Sequence, residues 1–115
     1  ERGMLDETLV VAVGEFGRSP QRGVSTSGNS NSDDGRDHWP YCYTAMVAGG
    51  GVKRGAVVGA SDAHAAFPVA EPIGPWDLSA TMYHLLGISP DSHVHDRIGR
   101  PFILTPGRVA TDLLS

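Results

Sequence analysis

The chain has a single cysteine, Cys42, so it cannot form an internal disulfide. That cysteine lies in "YCYTAMVAG", which reads as a strand, and a small buried hydrophobe is its expected role. No apolar run approaches the ~18–20 residues needed to span a membrane. Nine basic residues stand against thirteen acidic ones, for a formal charge of −4. With neither a cluster of Lys and Arg nor aromatics interleaved on a basic face, nucleic acid is not an expected partner. No G-x-S-x-G elbow, P-loop, dinucleotide fingerprint or HExxH motif occurs, so none of the nucleophile and cofactor sites read directly from such motifs is identified. No leader peptide is read in these residues, and any secretion signal is expected in the part that precedes them. The chain opens on "ERGMLDET" without an initiating Met and reads as starting within a longer protein.

Fifteen glycines and eight prolines mark a loop-rich chain. Its 115 residues amount to one domain, and a chain of that size buries roughly 65% of its unfolded surface. "TLVVAV" (8–13) is a short apolar run rich in β-branched residues, as expected of a strand buried on both faces of a parallel α/β sheet. Gly14 ends it, and Pro20 blocks regular continuation. Residues 21–36, "QRGVSTSGNSNSDDGR", form a polar, low-complexity stretch expected to be a flexible loop. A second strand is expected at about 41–48. Gly49, Gly50 and Gly51 then make a turn, and a third strand at 52–61 is expected to pair with the second as a hairpin. The clearest helix signal is "GPWDLSATMYHLLGISPD". Pro75 suits the first turn, Asp77 complements the helix dipole, Leu78, Met82, Leu85 and Leu86 recur at helical spacing, and Gly87 and Pro90 mark the end. "HDRIGRPFILTPG" reads as a turn and a short extended piece.

Functional groups in open α/β sheets gather at the carboxyl ends of strands. Glu15 falls there, directly after the apolar run, with Arg18 three residues on. The Glu suits a metal ligand or general base, and the Arg suits bidentate recognition of an anionic oxygen. The same two residues would also serve as an ion pair pinning the loop. Asp37-His38 is the second candidate. Neighbouring side chains in extended chain point in opposite directions, so the pair reaches two different ions more easily than one. Alternatively His38 holds the metal and Asp37 orients a neighbour, or His38 is simply a loop histidine capped by its own Asp. Asp62 and His64 follow a predicted strand and would line a cleft or decorate a loop. His84 reads as a core or interface histidine. His93 and His95 alternate in "SHVHD", a spacing able to bind a stray ion, and read equally as surface residues. Lys53 and Arg54 look like solvated charges, and Asp96, Arg97, Arg100 and Pro101 like turn chemistry.

Taken together, "LDETLVVAVGEFGRSP", "GRDHWP", "MVAGGGVKRGAVVGASD" and "PWDLSATMYHLLGISPD…DRIGRPF" resemble the C-terminal part of bacterial sulfatase-like proteins of unknown function in the alkaline phosphatase–sulfatase superfamily. The resemblance runs collinearly along nearly the whole chain, and residues 21–34 are its least family-like stretch. It implies an α/β/α sandwich of which this chain is the C-terminal portion, a single partial domain over 1–115. It also implies a site for a divalent metal, zinc or calcium, acting on a sulfate or phosphate ester, and a periplasmic or secreted location. Better-known relatives carry a metal-binding Asp-His pair where this chain has Glu15-Phe16. Glu15 would preserve one carboxylate ligand, and Phe16 cannot ligate. His38 is similar to a downstream metal histidine of phosphatase-type relatives.

The expected metal ligands are therefore Glu15, Asp37 and His38, with Arg18 contacting the anion of a small anionic ester or sulfated glycan. The nucleophile would lie outside this chain, which alone would supply at most half a site. The competing expectation is a non-catalytic module binding anions or glycans on the same fold. Pairing of two copies as a homo-oligomer is a third.

Overall fold

The computed structural model describes residues 2–28 and 32–115. The middle of the expected flexible loop, 29–31, thus lies outside the described residues. Those described form one α-helix, α1 (Pro75–Leu85), two single-turn 3-10 helices (Met4–Asp6 and Thr111–Leu113) and eight short strands. The strands are β1 (Val10–Val13), β2 (Gly17–Arg18), β3 (His38–Trp39), β4 (Ala45–Ala48), β5 (Ala60–Ser61), β6 (Pro68–Ala70), β7 (His93–His95) and β8 (Pro101–Ile103). They pair as four two-stranded sheets, β1 with β4, β2 with β3, β5 with β6 and β7 with β8. The architecture is mixed helix and sheet, with no closed or curled sheet and no sandwich among the described residues. Nor is any described helix long and apolar enough to cross a membrane.

Contacts group the chain into two compact units. One holds Glu1–Val10, Ala48–Val58 and Ile73–Ser115; the other holds Val11–Val47 and Gly59–Pro72. In the first, α1 forms where its end signals stand. Pro75 needs no N–H partner in the first turn. The Asp77 carboxylate turns back to accept the Gly74 N–H at 2.9 Å. At the other end Gly87 takes a left-handed φ of 76°. This lets its N–H reach the His84 carbonyl, and the Ile88 N–H reach that of Tyr83, both at 2.9 Å.

Polar ties fasten the stretch after β8 to this helix. Asp77 also accepts the Arg108 N–H at 2.8 Å, and the buried Thr81 hydroxyl accepts the Ala110 N–H at 2.9 Å. The buried Thr105 hydroxyl donates to the Trp76 carbonyl at 3.2 Å. At Gly107 a Cβ would collide with that same carbonyl, so only glycine lets the chain pass so close.

Three expectations are corrected here. β4 pairs with β1, so the expected hairpin between 41–48 and 52–61 does not form. Gly49, Gly50 and Gly51 all have positive φ, and Gly49 and Gly50 pack against Leu5, Thr8 and Leu9, leaving no room for side chains. Beyond them Val52 bridges to Leu114, and only Ala60–Ser61 is a strand, paired antiparallel with β6. Second, Cys42 is half-buried and precedes β4, with its carbonyl lying against Gly17. Third, the apolar run of β1 is not buried on both faces: Val10 is 45% and Val13 47% exposed. A strand is buried by layers above and below it, and the described residues of the unit holding Val11–Val13 include no helix. Ala80 is the one buried hydrophobic residue among those described, and His84 is exposed.

Asp77 thus serves both the helix start and the returning chain. Asp77→Ala is expected to cost about 1–2 kcal/mol, the upper range for a lost helix cap, read as a lower midpoint in denaturant unfolding. An unchanged midpoint would contradict that role.

Candidate functional site

All four candidate site residues belong to the unit containing β2 and β3. These strands form a short antiparallel ribbon in which Arg18 lies directly opposite His38, and Gly17 opposite Trp39. Cross-strand partners share a face, so Arg18 and His38 sit side by side. Both are exposed. Gly17 is required because a Cβ there would strike the Cys42 carbonyl. Glu15 is exposed just ahead of β2, and the Phe16 ring stacks on the imidazole of His38 with centroids 3.9 Å apart. The nonligating residue thus has a clear structural position, as the platform beneath the candidate ligand.

Asp37 is the buried member of the group, only 5% exposed. Its carboxylate accepts the N–H groups of Thr26 at 2.7 Å, Ser27 at 2.8 Å and His38 at 2.8 Å. The Ser27 hydroxyl lies 2.9 Å from each of its oxygens. A carboxylate offers about four lone-pair directions, and these contacts use them. The bonds from the His38, Ser27 and Thr26 backbone hold its pKa far below the ordinary 3.8, outweighing the opposing effect of burial. Asp37 is therefore committed to fastening the loop, and its bond to His38 is to the backbone N–H, as in the reading of a loop histidine capped by its own Asp.

The rest of the loop base is equally tied. Ser19 N–H donates to the Asp37 carbonyl at 2.8 Å, and Asp37 N–H donates to the Ser19 hydroxyl at 3.0 Å. Arg36 Nη1 donates to the carbonyls of Ser19 at 2.7 Å and Pro20 at 2.6 Å. Arg18 Nη1 donates to the Arg36 carbonyl at 3.3 Å, and its remaining donors have no partner among the described residues. The expected Glu15–Arg18 ion pair is not among the described interactions.

Glu15 and His38 are thus the exposed candidate donors whose side chains accept no described hydrogen bond. Among the described residues, no three His, Cys, Asp or Glu side chains converge on a position where one ion would touch all of them. Asp62 and His64 line no site with them. The Asp62 carboxylate accepts the N–H groups of Ala66 at 2.8 Å, His64 at 3.1 Å and Phe67 at 3.2 Å, which lowers its pKa. It closes the turn between β5 and β6, where Ala65 adopts a φ of 55°.

Sequence reasoning missed Ser19, Thr26, Ser27 and Arg36 as the frame of the site. It also missed an aromatic cluster on the other face of the ribbon. There Trp39, Tyr41 and Phe67 lie 5.0–5.7 Å apart, and the indole N–H donates to the Ala66 carbonyl at 2.7 Å. Period-2 alternation of His38 and Trp39 was the available signal for two distinct faces. Nothing in the spacing of "STS" pointed to the carboxylate ten residues on.

If Asp37 is the fastener of this loop, Asp37→Asn removes the charge from every one of its bonds. Amide hydrogen exchange is then expected to accelerate at Thr26 and Ser27 while remaining unchanged in α1. Protection retained at both amides would contradict the assignment.

No curated protein and no solved structure matches this chain. A family model does, over residues 1–114, and its description is "Protein of unknown function (DUF1501)". The ribbon, its fastened loop and the exposed Arg18–His38 pair are therefore features of a chain that belongs to the DUF1501 family.

Proposed function

We propose that this chain supplies the anion-facing edge of a metal-dependent hydrolase of sulfate or phosphate esters. The observation carrying the reading is the β2–β3 register, which sets a guanidinium and an imidazole side by side, both exposed. Arg18, with donors to spare, would hold non-bridging oxygens of the ester in a bidentate fork. His38 would be a metal ligand, its ring braced by Phe16 and its backbone held by Asp37. Glu15 would offer a carboxylate to the same or a neighbouring ion. Asp37 becomes a positioning residue on this reading rather than a ligand. Imidazole donors suit zinc better than calcium, which favours oxygen. Held by His38 and Glu15, a bound ion would supply Lewis-acid polarisation of the ester. Further ligands and the nucleophile would come from outside this chain.

The same proposal takes the chain as the C-terminal part of an alkaline phosphatase-like α/β/α sandwich in a periplasmic or secreted bacterial protein. The sandwich's other layers would cover the exposed valines of β1. Pairing with a second copy would be another way to cover them. A second reading, a non-catalytic module for anions or sulfated glycans, draws support from Phe16, which stands where a second ligand would be and stacks on His38 instead.

Elemental mass spectrometry of the purified protein, beside His38→Ala, separates the two. Loss of one equivalent of bound zinc in the variant is the expected result. Equal metal content in both proteins would remove His38 from the site and favour the non-catalytic reading.

A further inference from the structure

The β7–β8 hairpin lies in the unit that also holds α1, separate from the candidate site in sequence and in unit. Its register pairs His93 with Ile103, Val94 with Phe102 and His95 with Pro101. His93 and His95 are two residues apart on one strand, so both project from the same face with Cα atoms ~6.6 Å apart. Both are exposed. Neither imidazole has a hydrogen-bond or ion-pair partner among the described interactions. Opposite them stand Ile103 and Pro101, which offer no side-chain group to compete for the ring nitrogens.

The rest of the hairpin is fixed. The Leu104 N–H donates to the Ser92 carbonyl at 2.8 Å, and the Asp96 N–H to the Arg100 carbonyl at 3.1 Å. In this register both His pairs occupy the non-hydrogen-bonded positions, where facing side chains come closest and where a proline costs no ladder bond. The turn 96–100 is organised by the Asp96 carboxylate, which accepts the Ile98 and Arg100 N–H groups at 2.9 Å each and Arg100 Nε at 2.7 Å. Asp96 is therefore engaged in the turn. Arg100 points to the opposite face, over the Phe102 ring at 5.8 Å, so its charge does not oppose a cation beside the histidines.

We infer that His93 and His95 form a two-histidine chelate for a borderline divalent transition cation such as zinc, with water completing its coordination. Imidazole is the side chain best matched to such ions, binding them at ~2.0–2.1 Å. The hairpin holds the two rings on one face before the ion arrives, reducing the ordering that binding requires. A site with only two protein ligands agrees with the finding that no described group of three converges.

The test is titration calorimetry of the metal-stripped protein with zinc chloride, in His93→Ala, His95→Ala and His38→Ala variants, with unfolding midpoints as a fold check. The equivalent of zinc held by the hairpin is expected to weaken at least tenfold in His93→Ala and in His95→Ala alike, and to persist in His38→Ala, which loses only the ion of the proposed hydrolase site. In parallel, the imidazole resonances of His93 and His95 are expected to move together at one equivalent. Zinc binding unchanged in either single variant, or movement of only one ring, overturns the chelate. Because His38→Ala is measured separately, that failure is distinguishable from failure of the hydrolase site.

Discussion

What the rest of this structure depends on is the bond between an aspartate carboxylate and backbone N–H groups. Four turns are closed this way. Asp37 gathers Thr26, Ser27 and His38; Asp62 gathers His64, Ala66 and Phe67; Asp77 gathers Gly74 and Arg108; Asp96 gathers Ile98 and Arg100. All four have pKa values displaced downward, and in each the first cause is a backbone N–H. Ala80 is the one buried hydrophobic residue among those described, so apolar burial cannot carry the order of these turns. Charge-assisted bonds to an ionised acceptor, roughly twice as strong as neutral ones, take that part.

This arrangement explains why the functional residues are presented as they are. A two-residue ribbon such as β2–β3 is not stable by itself. It holds because the loop joining its strands is fastened at its base by Ser19, Arg36 and Asp37. The exposed rings and guanidinium then stand on a fixed backbone, with Phe16 against His38 on one face and the Trp39, Tyr41 and Phe67 cluster on the other. The β7–β8 hairpin repeats the scheme with Asp96 in place of Asp37.

Local signals were legible wherever a short-range rule decides the outcome. Pro75, Asp77 and Gly87 mark the ends of α1, as their types and positions suggested, whereas the ribbon that sets Arg18 opposite His38 had no signal in the spacing. Pairing partners were not legible, because they are long-range choices. Three consecutive glycines look like a hairpin turn, yet they allow close packing against residues 5–9, and β4 finds β1 instead. Burial was overestimated for the same reason: an apolar run says that a strand can be covered on two faces, not what covers it. Asp37 shows the finer limit. Beside a histidine it reads as a ligand, and only the backbone returning from Thr26 and Ser27 reveals an acceptor already filled.

Since each of these carboxylates has its pKa depressed in the folded chain, its contribution to stability is complete above the ordinary value of 3.8 and is lost as pH falls below it. The most direct measurement is therefore an acid titration of the side-chain carboxyl carbons by nuclear magnetic resonance, resolved for Asp37, Asp62, Asp77 and Asp96. All four should stay ionised below pH 3.8, with Asp37 the last to protonate. Titration of Asp37 at or above the ordinary value would mean that its N–H bonds do not hold the loop, and would contradict the account.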